Sequence, residues 1–185
     1  MASSPSTSIP PPGPSPIAPA DHLSYMRLCL TLADLAPKLP TNFRVGAAIV
    51  EASENRILST GHTMELPGNT HAEQCALAKY AASHNLTEDR VAEALSGNIV
   101  IYTTVEPCGK RLSGNLPCVE RILRTREGAR GHGIQRVYVG VKEPETFVGE
   151  NTGRAKLEQA GIEVIVVEGL EEEILKVAEA GHLKD

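Results

Sequence analysis

The pattern His71-Ala72-Glu73, then Pro107-Cys108, then Cys118, constrains this chain more than any other feature. An imidazole and two thiols so far apart in sequence act together only in a fold that brings a helix start and a strand end to one point. Zinc held for structure is normally enclosed by four protein ligands, whereas catalytic zinc keeps three and leaves the fourth position to water or substrate. His71, Cys108 and Cys118 supply three, which leaves Glu73 to move protons rather than bind metal. A zinc-stabilised interaction module without turnover is the opposing reading, but a structural site has no need of an acid beside the metal. Residues two apart on a regular helix point to nearly opposite sides, so His71 and Glu73 converge only if His71 stands at the helix start in non-helical geometry, with Thr70 as cap. Cys75, four residues after His71 and on the same helical face, is a rival ligand, although core packing by a small apolar thiol explains it more simply.

The rest of the chain bounds the answer. At 185 residues it fits one domain with room for a core. Residues 1–20 are dominated by Pro and Ser and read as a disordered tail, with the zinc-dependent domain spanning 21–185. No apolar stretch is long enough to span a bilayer, and the start lacks the charged and apolar regions of a secretory signal. A soluble, cytoplasmic protein with no membrane partner is expected. Four cysteines, two assigned to metal, fit a reducing compartment better than a disulfide framework, and Cys29 and Cys75 are then core thiols. The net charge is −5, there is no Trp, and Phe43 and Phe147 are the only phenylalanines, which argues against a nucleic-acid partner. The local basic run Arg121, Arg124, Arg126 and Arg130 reads as a solvated helix face.

Helices and strands alternate along the sequence. Asp21 caps a helix that carries Leu28, Leu32 and Leu35 toward a core and stops before Pro37. Residues 43–50 and 56–60 read as a strand pair, 71–83 as a helix, and 86–95 as a short helical piece. Residues 98–105, with the unbroken apolar run Ile99-Val100-Ile101-Tyr102, read as a buried strand. A helix over 118–126, a strand over 136–141, a helix over 152–160 closed by Gly161, a strand over 162–167 and a helix over 170–180 complete the chain. This order predicts an α/β layer with right-handed crossovers. Cys108 then lies just beyond a strand end, where ligands of open α/β sheets gather.

Asn42-Phe43-Arg44-Val45-Gly46-Ala47-Ala48, His71-Ala72-Glu73 and Glu106-Pro107-Cys108 resemble the cytidine deaminase superfamily across almost the whole ordered length. Zinc deaminases share a signature of this kind, with two residues between the cysteines in its shortest form. Here the insert Gly109-Lys110-Arg111-Leu112-Ser113-Gly114-Asn115-Leu116-Pro117 separates them and is expected to carry substrate preference. The segments ELPGNTHAEQCALAKY, TTVEPCGKRLSGNLPCVERIL and VYVGVKEPETFV are similar, more narrowly, to the fungal-type riboflavin-pathway deaminases. Those enzymes act on 2,5-diamino-6-ribitylamino-4(3H)-pyrimidinone 5′-phosphate, and the long cysteine spacing belongs to that likeness.

The resemblance implies a three-layer α/β fold of the cytidine deaminase type, with a central mixed sheet of about five strands flanked by helices. It implies one Zn2+ per subunit and a homodimer in which a neighbouring subunit helps close the pocket. Members are often fused to a reductase or a pseudouridine-synthase-like domain, so this chain is expected to be the deaminase part alone. Hydrolytic attack falls on the ring carbon bearing the exocyclic amine, C2, with Glu73 relaying protons to a ring nitrogen and to the departing ammonia. Asn42 is placed near the substrate, and the Ala72 N–H near the ring carbonyl. Lys110, Arg111 and Ser113 suit a phosphate monoester. Arg44, His62 and Asn69 are further substrate candidates by their position. A cytidine, cytosine or deoxycytidylate deaminase would share the metal site, and only the insert and the ELPGNT segment argue against it. A nucleic-acid-editing deaminase is disfavoured by charge and aromatic content.

Overall fold

The computed structural model describes residues 13–127, 133–142 and 152–182. Residues 1–12 of the expected tail, Arg130 of the basic run and residues 143–148 of the similar segments lie outside the described residues. In chain order the elements are β1 (Gly13–Pro14), α1 (His22–Ala33), β2 (Gly46–Glu51), β3 (Arg56–His62) and α2 (Ala72–Ser83). A 3₁₀ turn (Glu88–Glu93), β4 (Ile99–Val105), α3 (Cys118–Arg124) and β5 (Arg136–Val141) follow. The chain ends with α4 (Gly153–Gln159), β6 (Glu163–Val166) and α5 (Glu171–Ala178). The strands form one six-stranded mixed sheet in the order β1-β3-β2-β4-β5-β6. β2 runs antiparallel to both β3 and β4, whereas β4, β5 and β6 are mutually parallel.

The apolar run of β4 is buried along its whole length because both sheet faces are covered. Ile99 and Ile101 face the core shared with α2, α3 and α4, with Leu77, Ile122 and Leu157 among its members. Val100 and Tyr102 face the opposite core, built with Tyr25 and Met26 of α1 and Ile174 of α5. Alternation along one strand thus feeds two helical layers, the three-layer arrangement that the resemblance implies. α2 lies close against β3 at Gly61, where an added Cβ would stand 2.3 Å from the Ala72 carbonyl and 2.6 Å from Ala76 N.

Several details differ from the sequence expectation. The two-residue β1 adds a sixth strand: Gly13 and Pro14 pair with Ile57 and Arg56, and the Asn55 amide donates to Ile17 O at 2.7 Å. The backbone of residues 13–17 is therefore tied to the sheet edge rather than free. The second strand starts at Gly46, not Phe43, because Thr41, Asn42, Phe43 and Val45 leave the sheet to line a cleft. Asp21 caps α1 as expected, accepting from Ser24 N at 3.0 Å, but the helix ends at Ala33 and Leu35 is exposed. The basic run is dispersed: Arg121 pairs with Glu88, Arg126 donates to Ala160 O, and Arg124 is exposed. Among the described residues no helix is long and apolar enough to cross a membrane.

Candidate active site

Two helix starts and one strand end build the site. His71 is the cap of α2, with extended backbone at φ −92° and ψ 161°, and Glu73 lies in the first turn. This non-helical geometry lets both side chains turn to one centre. Thr70 does not cap the helix; its hydroxyl donates to Leu66 O at 2.8 Å instead. Cys108 follows β4 by three residues, and Cys118 is the first residue of α3. The α3 start is clasped to the Cys108 segment, since Cys118 N donates to Cys108 Sγ at 3.4 Å and Val119 N to Cys108 O at 3.2 Å.

The His71 Nδ1 atom is 3.5 Å from Cys108 Sγ and 3.4 Å from Cys118 Sγ. One ligand atom from each of these three residues lies within 4.8 Å of the other two. Bonds of about 2.0–2.1 Å to nitrogen and about 2.3 Å to sulfur separate the ligands of tetrahedral zinc by roughly 3.5–3.8 Å, so donor set and spacing fit that ion. Cys75 is wholly buried and does not belong to the group, and Cys29 is likewise a core thiol. The two sulfurs of this group act on each other. Donation from Cys118 holds the Cys108 thiol well below its ordinary range, and the same pairing, with burial and Glu73 nearby, pushes the Cys118 thiol up.

Glu73 is buried beside this group without joining it. Its Oε2 accepts from Cys118 Sγ at 3.4 Å and its Oε1 from Thr103 Oγ1 at 3.2 Å. Burial raises its carboxyl above the ordinary glutamate value, with His71 opposing and Cys108 reinforcing. A carboxyl shifted toward neutrality is suited to both taking and giving a proton. Thr103 was not singled out from the sequence, because a threonine within a strand carries no chemical signal of its own.

A cleft of about 200 Å³ opens onto these residues. Asn42, Asn69, Lys110, Arg111 and Ser113 line it with His71, Glu73 and Cys108, as do Thr63, which the sequence did not single out, and Glu106, which it named only within the Glu106-Pro107-Cys108 motif. Asn42 donates through Nδ2 to Pro37 O and Phe43 O, while its buried Oδ1 has no partner among the described residues. The Arg111 guanidinium donates to Asn69 O at 2.5 Å and Gln74 Oε1 at 3.2 Å, and so fixes the insert to the loop before α2. Lys110 and Ser113 are exposed at the rim. Ala72 opens α2 behind the cleft, its N–H among the first-turn donors that a helix leaves unpaired. Arg44 and His62 are not brought to the cleft. The Arg44 side chain turns to the end of α1, donating to Ala36 O at 2.8 Å and pairing with Asp34, and His62 Nδ1 bonds Thr63 O at 3.1 Å.

Comparison with known proteins agrees with this geometry. A family model described as the cytidine and deoxycytidylate deaminase zinc-binding region matches residues 19–139. A Schizosaccharomyces pombe protein named diaminohydroxyphosphoribosylamino-pyrimidine deaminase is 35% identical over 179 residues, and the chain spans 40% of that protein's length. A crystal structure of Aspergillus oryzae Rib2 deaminase, a C-terminal deletion mutant in complex with DARIPP, is 57% identical with a TM-score of 0.80, covering 87% of this chain and 91% of that one. A Thermotoga maritima diaminohydroxyphosphoribosylaminopyrimidine deaminase/5-amino-6-(5-phosphoribosylamino)uracil reductase is 26% identical with a TM-score of 0.65, covering 86% of this chain and 40% of that one. With the His71, Cys108 and Cys118 group inside the matched region, the chain belongs to the cytidine and deoxycytidylate deaminase family.

Proposed function

We propose that the chain is a zinc-dependent hydrolase that deaminates 2,5-diamino-6-ribitylamino-4(3H)-pyrimidinone 5′-phosphate in riboflavin biosynthesis and releases ammonia. The observation that carries the reading is the convergence of His71, Cys108 and Cys118 with a buried Glu73 beside them but outside the group, its carboxyl raised by burial. The likeness to deaminases of this pathway supports the substrate. One zinc per subunit would be held by His71, Cys108 and Cys118, and would supply Lewis acidity that favours loss of a proton from water near neutral pH. Glu73 accepts the proton of the attacking water, passes it to the ring nitrogen beside C2, and delivers a proton to the departing amine. A C–O bond forms, the C2–N bond breaks, and the products are ammonia and a ring carbonyl. The unpartnered Asn42 Oδ1 accepts a substrate N–H or hydroxyl, and the Ala72 N–H faces the ring carbonyl. Lys110 and Ser113 at the rim, backed by Arg111, receive the phosphate, with Asn69 beside them. The catalytic domain spans 21–185, and the same reading takes the enzyme to be a cytoplasmic homodimer.

Ammonia release by purified protein tests this directly. The diaminopyrimidinone phosphate should exceed cytidine, cytosine and deoxycytidylate by at least about 10²-fold in kcat/KM, the order of discrimination a shaped site supplies. Comparable turnover of deoxycytidylate would contradict the substrate assignment. Replacing Lys110 and Arg111 together by Ala should raise KM for the phosphorylated substrate, and an unchanged KM would remove the phosphate assignment.

A further inference from the structure

Glu106 is the one cleft-lining acid that neither the metal group nor the proton relay uses. It follows β4 directly, is 9% exposed, and lines the cleft with Glu73 and Cys108. Its backbone N–H donates to Val141 O at 2.8 Å, but among the described residues its side chain has no hydrogen bond and no ion pair. The neighbouring cations are turned elsewhere: Arg111 is engaged with Asn69 and Gln74, and Lys110 is exposed. Glu106 is also outside the three-residue group whose ligand atoms lie within 4.8 Å of one another.

The fold treats its other buried acids differently. Glu51 accepts from Asn98 N at 2.7 Å and from Glu54 N, and Glu73 accepts from Thr103 and Cys118. Solvent reaches the Glu106 carboxylate in the cleft, and a ligand that displaces this water can bring a donor in its place.

Given the substrate reading above, we propose that Glu106 accepts a hydrogen bond from an N–H of the substrate ring other than the departing amine. The diaminopyrimidinone offers several: the 5-amino group, the N3–H and the 6-amino N–H. A cytosine ring linked through N1 offers only the amine that leaves. Glu106 would therefore help select a donor-rich ring. Because that N–H is unchanged by the reaction, the contact is equal in ground and transition states, and its loss acts on KM rather than kcat.

The test is Glu106→Gln, assayed with the diaminopyrimidinone phosphate and inhibited with ribitol 5-phosphate, which has the phosphate and chain but no ring. The expected result is a KM raised at least about tenfold, the scale of a lost charge-assisted bond. The kcat should stay within about threefold, and the inhibition constant of ribitol 5-phosphate and the zinc content should not change. An unchanged KM overturns the proposal. So does an inhibition constant that rises in step with KM, because the side chain would then shape the cleft rather than read the ring. Glu106→Asp should show the same split if the Gln protein does not fold, and an unaltered KM in Asp is equally fatal. Failure of the unsubstituted enzyme to turn over this substrate would instead remove the substrate reading, and the ring assignment with it.

Discussion

Glu73 is subject to two opposed influences. Burial drives its carboxyl toward the neutral form and the His71 ring opposes it, while the Thr103 hydroxyl lies 3.2 Å from Glu73 Oε1 and 3.0 Å from Val105 O. Replacing Glu73 by Gln keeps the shape and removes the proton relay, so kcat should fall by at least about 10²-fold with zinc content unchanged, as read by turnover and metal analysis. Near-normal turnover would take Glu73 out of the mechanism. Thr103→Val removes the hydroxyl beside Oε1, and if that hydroxyl donates to the ionised form its loss should raise the Glu73 pKa. Since Glu73 must be ionised to accept the first proton, the acid limb of the kcat/KM profile should move to higher pH, and an unmoved limb would show that Thr103 does not act on Glu73. The convergence of His71, Cys108, Cys118 and Glu73 was legible in the sequence because imidazole, thiol and carboxylate at that spacing have few other joint uses. Thr103 and Glu106 were not, because only the strand register turns these ordinary residue types into the site. Arg44 illustrates the converse: Asn42, Phe43 and Val45 line the cleft, while the Arg44 side chain between them turns to the end of α1.

At the scale of elements, the site depends on how closely α2 rests on β3. Gly61 permits that approach, and any side chain there meets the Ala72 carbonyl and Ala76 N of the helix that presents His71 and Glu73. Gly61→Ala should therefore destabilise the fold by at least about 1–3 kcal/mol, the usual range for overpacking, and weaken zinc affinity because His71 moves with the helix. Thermal unfolding and a zinc titration check both, and wild-type values for both would mean that α2 is not positioned by this contact. Most elements were readable from periodicity, above all β4 with its continuous apolar run. The start of α2 was not: Thr70 has the better capping side chain, yet the residue with cap geometry is His71. The preference for a metal-facing imidazole is tertiary and leaves no local signal. The late start of β2 has a similar origin, since Thr41, Asn42, Phe43 and Val45 serve the cleft instead of the sheet.

For the molecule as a whole, the three ligands join the start of α2, the end of β4 and the start of α3, so one ion would cross-link both ends of a long stretch of chain. Anything bound only by the folded state stabilises it, by about 4 kcal/mol at a thousandfold excess over Kd. For a chain of this size each kcal/mol moves Tm by about 2–4 °C, so chelation should lower Tm by roughly 8 °C or more, with recovery on adding zinc back. A Tm indifferent to chelation would indicate that no ion is shared by these elements. The α/β class was visible from the alternation of elements and its three layers from the family resemblance, whereas the β1 edge was hidden within a Pro/Ser-rich composition that ordinarily signals disorder. The central claim, one ion held by His71, Cys108 and Cys118 with a position left open, is tested most directly by zinc X-ray absorption on active protein. The spectrum should show one zinc per chain with two sulfurs at about 2.3 Å and two nitrogen or oxygen neighbours at about 2.0–2.2 Å. A third sulfur in the shell, or full activity in protein without the metal, would contradict it.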